Sequence, residues 1–152
     1  GNLAARIASV VDNKCAGLGT APNPDSPLAA FAKDAVAETS ACWQLVQPSR
    51  ALEATWSLIR ATNAHLENHE PWKAEPSDLL NTVMGDALEA LRIVTLLAFP
   101  AIPDTAREIW RRIGMTTDIE QCRIPVDTEW GLYRDGSPVE KGTPLFPRRT
   151  VA

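Results

Sequence analysis

The stretch between Ser77 and Pro100 constrains the fold more than any other part of the sequence. Its apolar residues recur at steps of three and four, the spacing of one face of an α-helix. They are Leu80, Val83, Ala87, Leu91, Val94 and Ala98. Further apolar residues flank this stripe, so the helix is apolar around much of its circumference towards its end. A helix of this kind is buried on several sides, and we predict that it is the central helix of the fold.

Four more segments have helical spacing and are bounded by proline or glycine. They run from Asn2 to about Ala16, from Ser26 to about Val46, from Ser49 to about Glu70 and from Asp104 to Gly114. A short polar side chain just before a helix can accept a hydrogen bond from an N–H group of the first turn. On that basis the predicted N-caps are Asn2, Ser26, Ser49, Ser77 or Asp78, and Asp104.

The third helix has one predicted buried face that contains a polar residue. That face consists of Leu52, Trp56, Ile59, Asn63 and Leu66. A buried amide such as that of Asn63 costs free energy unless it finds hydrogen-bond partners. Proline disfavours helical geometry in the residue before it, so Pro71 ends the helix near Glu70. We therefore expect Trp72 to lie on a turn with its ring accessible, whereas Trp56 and Trp110 are predicted to be core residues.

Composition and charge limit the classes of function. The 152 residues carry a net charge of −4, so the chain lacks a general basic surface for nucleic acid. Contact with RNA would need a local group of residues or a larger parent protein. Three widely spaced cysteines without a CxxC pair indicate a reducing, cytoplasmic setting and no metal cluster. The most apolar run, 91–100, is too short to span a bilayer, and we recognise no signal peptide.

The sequence changes character after Gly114, where proline and glycine become frequent. We predict a helical domain over 1–114 and a C-terminal extension over 115–152. The pair Asp135-Gly136 is typical of a hairpin turn, so a small turn or hairpin is expected within the extension. The chain opens with Gly-Asn and enters a helical pattern at once, which suggests a fragment of a longer protein.

No catalytic motif is recognisable in the chain. His65 and His69 are spaced four apart, as in some zinc sites, but such sites need three or four ligands. The pair Gly17 and Gly19 follows a predicted helix and lacks the third glycine of a phosphate-binding loop. We therefore expect neither a bound metal nor a cofactor in this chain.

Three residues allow both a structural and a binding interpretation. Trp72 either packs on its turn or offers a ring face on which an unstacked base can lie. Asn2 and Arg6 lie one helical turn apart and are either a cap and a solvated cation or contacts to bases and phosphates. The binding interpretation gains weight if the first helix meets the end of the third.

Several short motifs, in order, resemble the anticodon-binding domain of methionyl-tRNA synthetases. The opening Gly1-Asn2-Leu3-Ala4-Ala5-Arg6 resembles the family's GNLxxR start. Asn63 followed by Glu70-Pro71-Trp72 resembles its N-x-Y…PW segment, with His65 where the family commonly has tyrosine. The FPAIP stretch at 99–103 and the PLFPR ending at 144–148 resemble its PxxPxxA turn and the end of the enzyme's core.

The resemblance implies an all-α bundle of about five helices, of the class I synthetase anticodon-binding type. It implies that Trp72 with Pro71, Asn2 and Arg6 bind the CAU anticodon of methionine tRNA, and that Asn63 and His65 support them. The parent would be a methionine–tRNA ligase whose separate catalytic domain binds ATP and contacts the extension. The partners implied are this tRNA and that domain, without DNA or membrane. Two alternatives stay open: a stand-alone module that binds tRNA or protein, and a helical bundle that only docks onto a catalytic chain.

Overall fold

A computed structural model describes residues 2–145 and contains five α-helices. They are α1 (Asn2–Lys14), α2 (Pro27–Gln44), α3 (Pro48–His69), α4 (Asp78–Ala98) and α5 (Pro103–Arg112). Single turns of 3₁₀-helix follow at Ile119–Gln121 and Val126–Thr128. Residues 2–145 contain no β-strand, so the prediction of an all-α bundle of about five helices is confirmed. No helix in this range combines the length and the apolar character needed to cross a membrane.

Two of the predicted helix caps are confirmed. The Ser26 hydroxyl accepts a hydrogen bond from the N–H of Leu28 at 3.3 Å, and the Ser77 hydroxyl accepts one from the N–H of Leu80 at 3.1 Å. Both serines precede their helices in extended geometry. Each cap therefore satisfies an N–H group that has no partner within its own helix.

Two further predicted caps are wrong because their helices begin earlier than expected, so that Ser49 and Asp104 lie inside α3 and α5. The cap predicted at Asn2, the first described residue, stays a prediction. Helices α3 and α5 begin with Pro48 and Pro103. Proline suits the first helical position because its fixed φ matches the helix and its missing N–H would have had no partner there.

Helix α4 is the central helix, as predicted. Every residue from Val83 to Leu97 is buried, and α4 contacts each of the other four helices. One side of it packs with α1 and α5 into a core cluster that includes Ile7, Met84 and Leu88. Another side packs with α2 and α3 around residues such as Leu58 and Ile93. The central helix thus fixes where the ends of α1 and α3 lie.

The buried face of α3 differs from the predicted one. Its buried residues are Ala51, Ala54, Thr55, Leu58, Thr62 and Leu66, whereas Trp56 is 54 % exposed. The Thr55 and Thr62 hydroxyls donate to the carbonyls of Ala51 and Leu58, at 3.0 and 2.8 Å. Because local hydrogen bonds satisfy these hydroxyls, small residues occupy the close helix contacts and the bulky indole lies outside. The core prediction is thus wrong for Trp56, while it is confirmed for Trp110, which is 4 % exposed.

A buried ion pair connects α4 to the segment after Gly114. The guanidinium of Arg92 donates to the Glu89 carboxylate and to the backbone carbonyls of Asp127 and Glu129. The second Glu89 oxygen accepts from the N–H of Tyr133 at 2.6 Å. Burial raises the pKa of the Glu89 carboxyl, and the neighbouring Arg92 opposes that rise. Removal of two charges from water is costly, so these hydrogen bonds are needed to hold the pair.

Of the small turn or hairpin predicted around Asp135-Gly136, the turn is present, whereas a hairpin is absent from the described residues. The turn instead bonds to the loop after α1, where Leu18 and Pro138 form an isolated antiparallel bridge. The Gly136 N–H donates to the Gly19 carbonyl at 2.8 Å. The turn residues act as expected, but their partner is distant in sequence.

The boundary between residues 114 and 115 stays a prediction, and Gly1 and residues 146–148 of the matching motifs lie outside the described range.

Candidate nucleic-acid interface

The C-terminal end of α3 places Trp72 on a turn, as the sequence predicts. Glu70 ends the helix with a φ of +43°, and its N–H donates to the Leu66 carbonyl at 2.9 Å. Pro71 is buried, and the N–H of Lys73 bonds back to the Glu70 carbonyl at 2.9 Å. A left-handed residue at a helix end reverses the chain direction. The indole of Trp72 consequently leaves the helix axis and lies half-buried against the core cluster shared by α1 and α4.

Arg6 connects α1 with this turn through three contacts. Its Nη1 donates to Asn63 Oδ1 at 3.3 Å, and its Nη2 donates to Glu67 Oε1 at 2.8 Å. Its guanidinium carbon lies 5.0 Å from the centre of the Trp72 ring, within cation–π range. The predicted approach of the first helix to the end of the third is thereby observed for Arg6. We call Arg6, Asn63, Glu67 and Trp72 the α1–α3 cluster.

Asn63 does not occupy the buried position that the sequence suggests. It is half-buried at the edge of α3, and its amide oxygen has Arg6 as a partner. An amide both donates and accepts hydrogen bonds, so its NH₂ group is free to bond elsewhere once Arg6 holds its oxygen. The residue therefore orients the guanidinium without the cost of an unpaired buried amide.

Glu67 belongs to the cluster although sequence reasoning did not single it out. It lies one turn after Asn63 on the same face of α3, and this i, i+4 spacing was the available signal. Its side chain is exposed, and exposed ion pairs contribute little to stability. The cluster thus combines a cation, a carboxylate acceptor, an amide and an aromatic ring. These are the groups that bind base edges and base faces.

The remaining predicted site residues lie elsewhere. Asn2 is exposed in the first turn of α1 and lines a cavity of about 460 Å³ between α1, α5 and residues 139–145. His65 faces α4, where its Nε2 lies 3.0 Å from the Val83 carbonyl oxygen, and burial lowers its pKa. His69 Nδ1 lies 2.8 Å from the His65 carbonyl oxygen. Within residues 2–145, no three His, Cys, Asp or Glu side chains converge on a position suited to a metal ion.

Comparisons with known proteins give one consistent result. No protein-family model matches the chain. It is 28 % identical over 168 aligned residues to the methionine–tRNA ligase of Synechocystis, covering 97 % of this chain and 31 % of the relative. It is 29 % identical to the enzyme of Streptomyces coelicolor, covering 97 % and 30 %. The free-state crystal structure of Mycobacterium tuberculosis methionyl-tRNA synthetase superposes with a TM-score of 0.83 at 25 % identity, covering 100 % of this chain and 32 % of that one.

The bundle is therefore of the kind found within aminoacyl-tRNA synthetases. Over 97 % of its length the chain is similar in sequence to methionine–tRNA ligases, the family that its motifs resemble. It spans a third or less of the length of the Synechocystis and Streptomyces enzymes.

Proposed function

We propose that this chain is the part of a methionine–tRNA ligase that recognises the CAU anticodon of methionine tRNA. In this proposal Trp72 stacks on an anticodon base, and Arg6 and Asn2 contact bases or phosphates. Pro71 sets the turn that presents the indole, while Asn63 and His65 support the end of α3 and the turn that follows it. The contact of Arg6 with both Asn63 and Trp72 carries the proposal, because it joins residues from two separate motifs.

The chemistry of the α1–α3 cluster supports recognition of an unstacked base. Proteins that recognise single-stranded RNA stack its bases on aromatic rings and hydrogen-bond to their edges. The half-buried Trp72 offers a ring whose position is fixed by packing on the core. Arg6 can turn its donors from Asn63 and Glu67 to an incoming base or phosphate at little cost, since exposed ion pairs are weak.

The net charge of the chain is consistent with a role as one part of a larger enzyme. At −4 the chain offers little of the phosphate neutralisation that dominates nucleic-acid affinity. In the proposed parent, other regions supply most of that attraction, and the helical part supplies selection. Activation of methionine with ATP would belong to a catalytic domain outside this chain, against which the C-terminal extension would pack.

Binding of two RNA hairpins tests the proposal. One hairpin carries a loop with the anticodon CAU, and the second has the same stem and loop with only the anticodon changed to GGU. We expect the full chain to bind the first hairpin at least tenfold more tightly, measured by fluorescence anisotropy at one fixed salt concentration. Equal affinity for both hairpins would overturn anticodon recognition by this chain.

A further inference from the structure

The exposed indole of Trp56 lies on the face of α3 that meets Arg6. The residues Trp56, Arg60, Asn63 and Glu67 follow one another at steps of four, three and four. In an α-helix these steps keep side chains on one face. Two of the four, Asn63 and Glu67, bond to Arg6. The face that carries Trp56 therefore continues directly into the α1–α3 cluster.

Trp56 lies on α3 between the half-buried Leu52 and Ile59 and the exposed, charged Glu53 and Arg60. All of α3 lies in the described part of the chain, and Trp56 is its only exposed large hydrophobic residue. Around it lie Glu53 and Arg60, whose side chains pair at 2.8 Å and are mostly exposed. A protein-binding surface usually buries a wider apolar patch at its centre. A single ring beside a guanidinium instead matches a base-stacking position with a phosphate contact.

The separation of Trp56 from the α1–α3 cluster suits one RNA strand. Asn63, a member of the cluster, lies seven positions after Trp56, which corresponds to about 10 Å along a helix at about 1.5 Å per residue. Stacked nucleotides rise by about 3.4 Å each along one strand. A strand with one base at the α1–α3 cluster therefore reaches Trp56 within about three nucleotides.

We propose that Trp56 is a second stacking platform, for a nucleotide that flanks the anticodon bases on the same strand, with Arg60 contacting its phosphate. The proposal rests on the proposed function, since it requires RNA at the α1–α3 cluster. Arg60 would leave Glu53 on binding. That exchange is inexpensive because an exposed ion pair contributes little to stability.

The test compares variants of the full chain in binding to the CAU hairpin. Trp56→Ala is expected to weaken binding about tenfold, the effect of losing one base–aromatic stack, and Trp56→Phe to retain most of the affinity. Val126→Ala is the control, because Val126 is 65 % exposed and belongs to the segment after Gly114. It should leave affinity unchanged. Arg60→Gln should reduce the slope of log affinity against log salt by about 0.7.

A fluorescent base analogue reports the position directly. With 2-aminopurine placed in turn at each loop nucleotide beside the anticodon, one position should be quenched by the wild-type chain and by Val126→Ala, and not by Trp56→Ala. If Trp56→Ala binds as wild type while Trp72→Ala loses affinity, the second platform is refuted and the proposed function stands. If the wild-type chain binds both hairpins equally, both proposals fail together.

Discussion

The guanidinium of Arg6 lies over the ring of Trp72, at 5.0 Å from its centre, although one residue belongs to the first helix and the other follows the third. The same guanidinium bonds to Asn63 and Glu67. A side chain with three partners from one corner holds α1 against the end of α3. In the proposed function, an incoming base competes with Arg6 for the same ring, so the strength of these contacts sets how readily the site opens.

Replacement of Trp72 by alanine tests the stacking role. We expect binding of the CAU hairpin to weaken by about 1–3 kcal/mol, since one base–aromatic stack is lost. The helical circular-dichroism signal should persist, because the indole is only half-buried. Trp43→Ala serves as a control, because it removes a half-buried tryptophan that lies on α2 and outside the α1–α3 cluster. Equal affinity of Trp72→Ala and wild type would exclude a stacking role.

Replacement of Asn63 by leucine tests whether this amide stabilises the contact between α1 and the end of α3. The change removes the acceptor for Arg6 Nη1, and we expect the free energy of unfolding to fall by about 1 kcal/mol, the net contribution of one hydrogen bond. Urea denaturation measures this loss. Asn68→Leu, at an exposed position of the same helix, is the control and should change stability less. If Asn63→Leu unfolds at the same urea concentration as wild type, the amide has no supporting role.

Replacement of Arg92 by methionine should destabilise the fold more than replacement of either Trp72 or Asn63. It leaves the fully buried Glu89 carboxylate without its cation and two backbone carbonyls without their donor. Loss of one partner of a buried ion pair costs about 3–5 kcal/mol. The double change Glu89→Gln with Arg92→Met should recover part of the loss, because no uncompensated charge remains. Guanidinium denaturation measures both variants, and a loss below about 1 kcal/mol for Arg92→Met would contradict the cost expected for an unpaired buried charge.

Acid should weaken the fold through Glu108, which pairs with two arginines in the last turn of α5. Hydrogen bonds from Arg111 and Arg112 lower the pKa of Glu108 to about 2, from an ordinary value of 4.5. A carboxyl with a lowered pKa stabilises the folded state above its unfolded pKa. That contribution is lost as the pH falls from about 4.5 to about 2. The effect is small because the group is partly exposed.

Thermal unfolding at several pH values measures this dependence. In Glu108→Gln, the melting temperature at neutral pH should be slightly lower than in wild type, and the two should converge near pH 2. A constant difference between the two proteins over the whole acidic range would show that Glu108 does not contribute in this way.

Features fixed by neighbouring residues could be predicted from the sequence. Ser26 and Ser77 act within three positions of themselves, and their caps are confirmed. The burial of α4 follows from its own apolar content. The position of Trp72 follows from Pro71, because proline restricts the residue before it.

Features that depend on distant packing could not be predicted in the same way. Trp56 shares a helical face with apolar residues, but the contacts of α3 require small side chains one position earlier. The ion pair of Arg92 with Glu89 looks like a solvated surface pair in the sequence. It is buried only because backbone groups from residues 127–133 complete it. Glu67 was missed for the same reason, since its partner lies in another helix.

The completion of the buried pair by residues 127–133 has a consequence for synthesis of the chain. During translation, α4 leaves the ribosomal exit tunnel before residues 127–133 do. Until they do, Glu89 and Arg92 lack the backbone partners that make their burial tolerable. The nascent bundle should therefore stay loosely packed around α4 and become compact only when Tyr133 has left the exit tunnel.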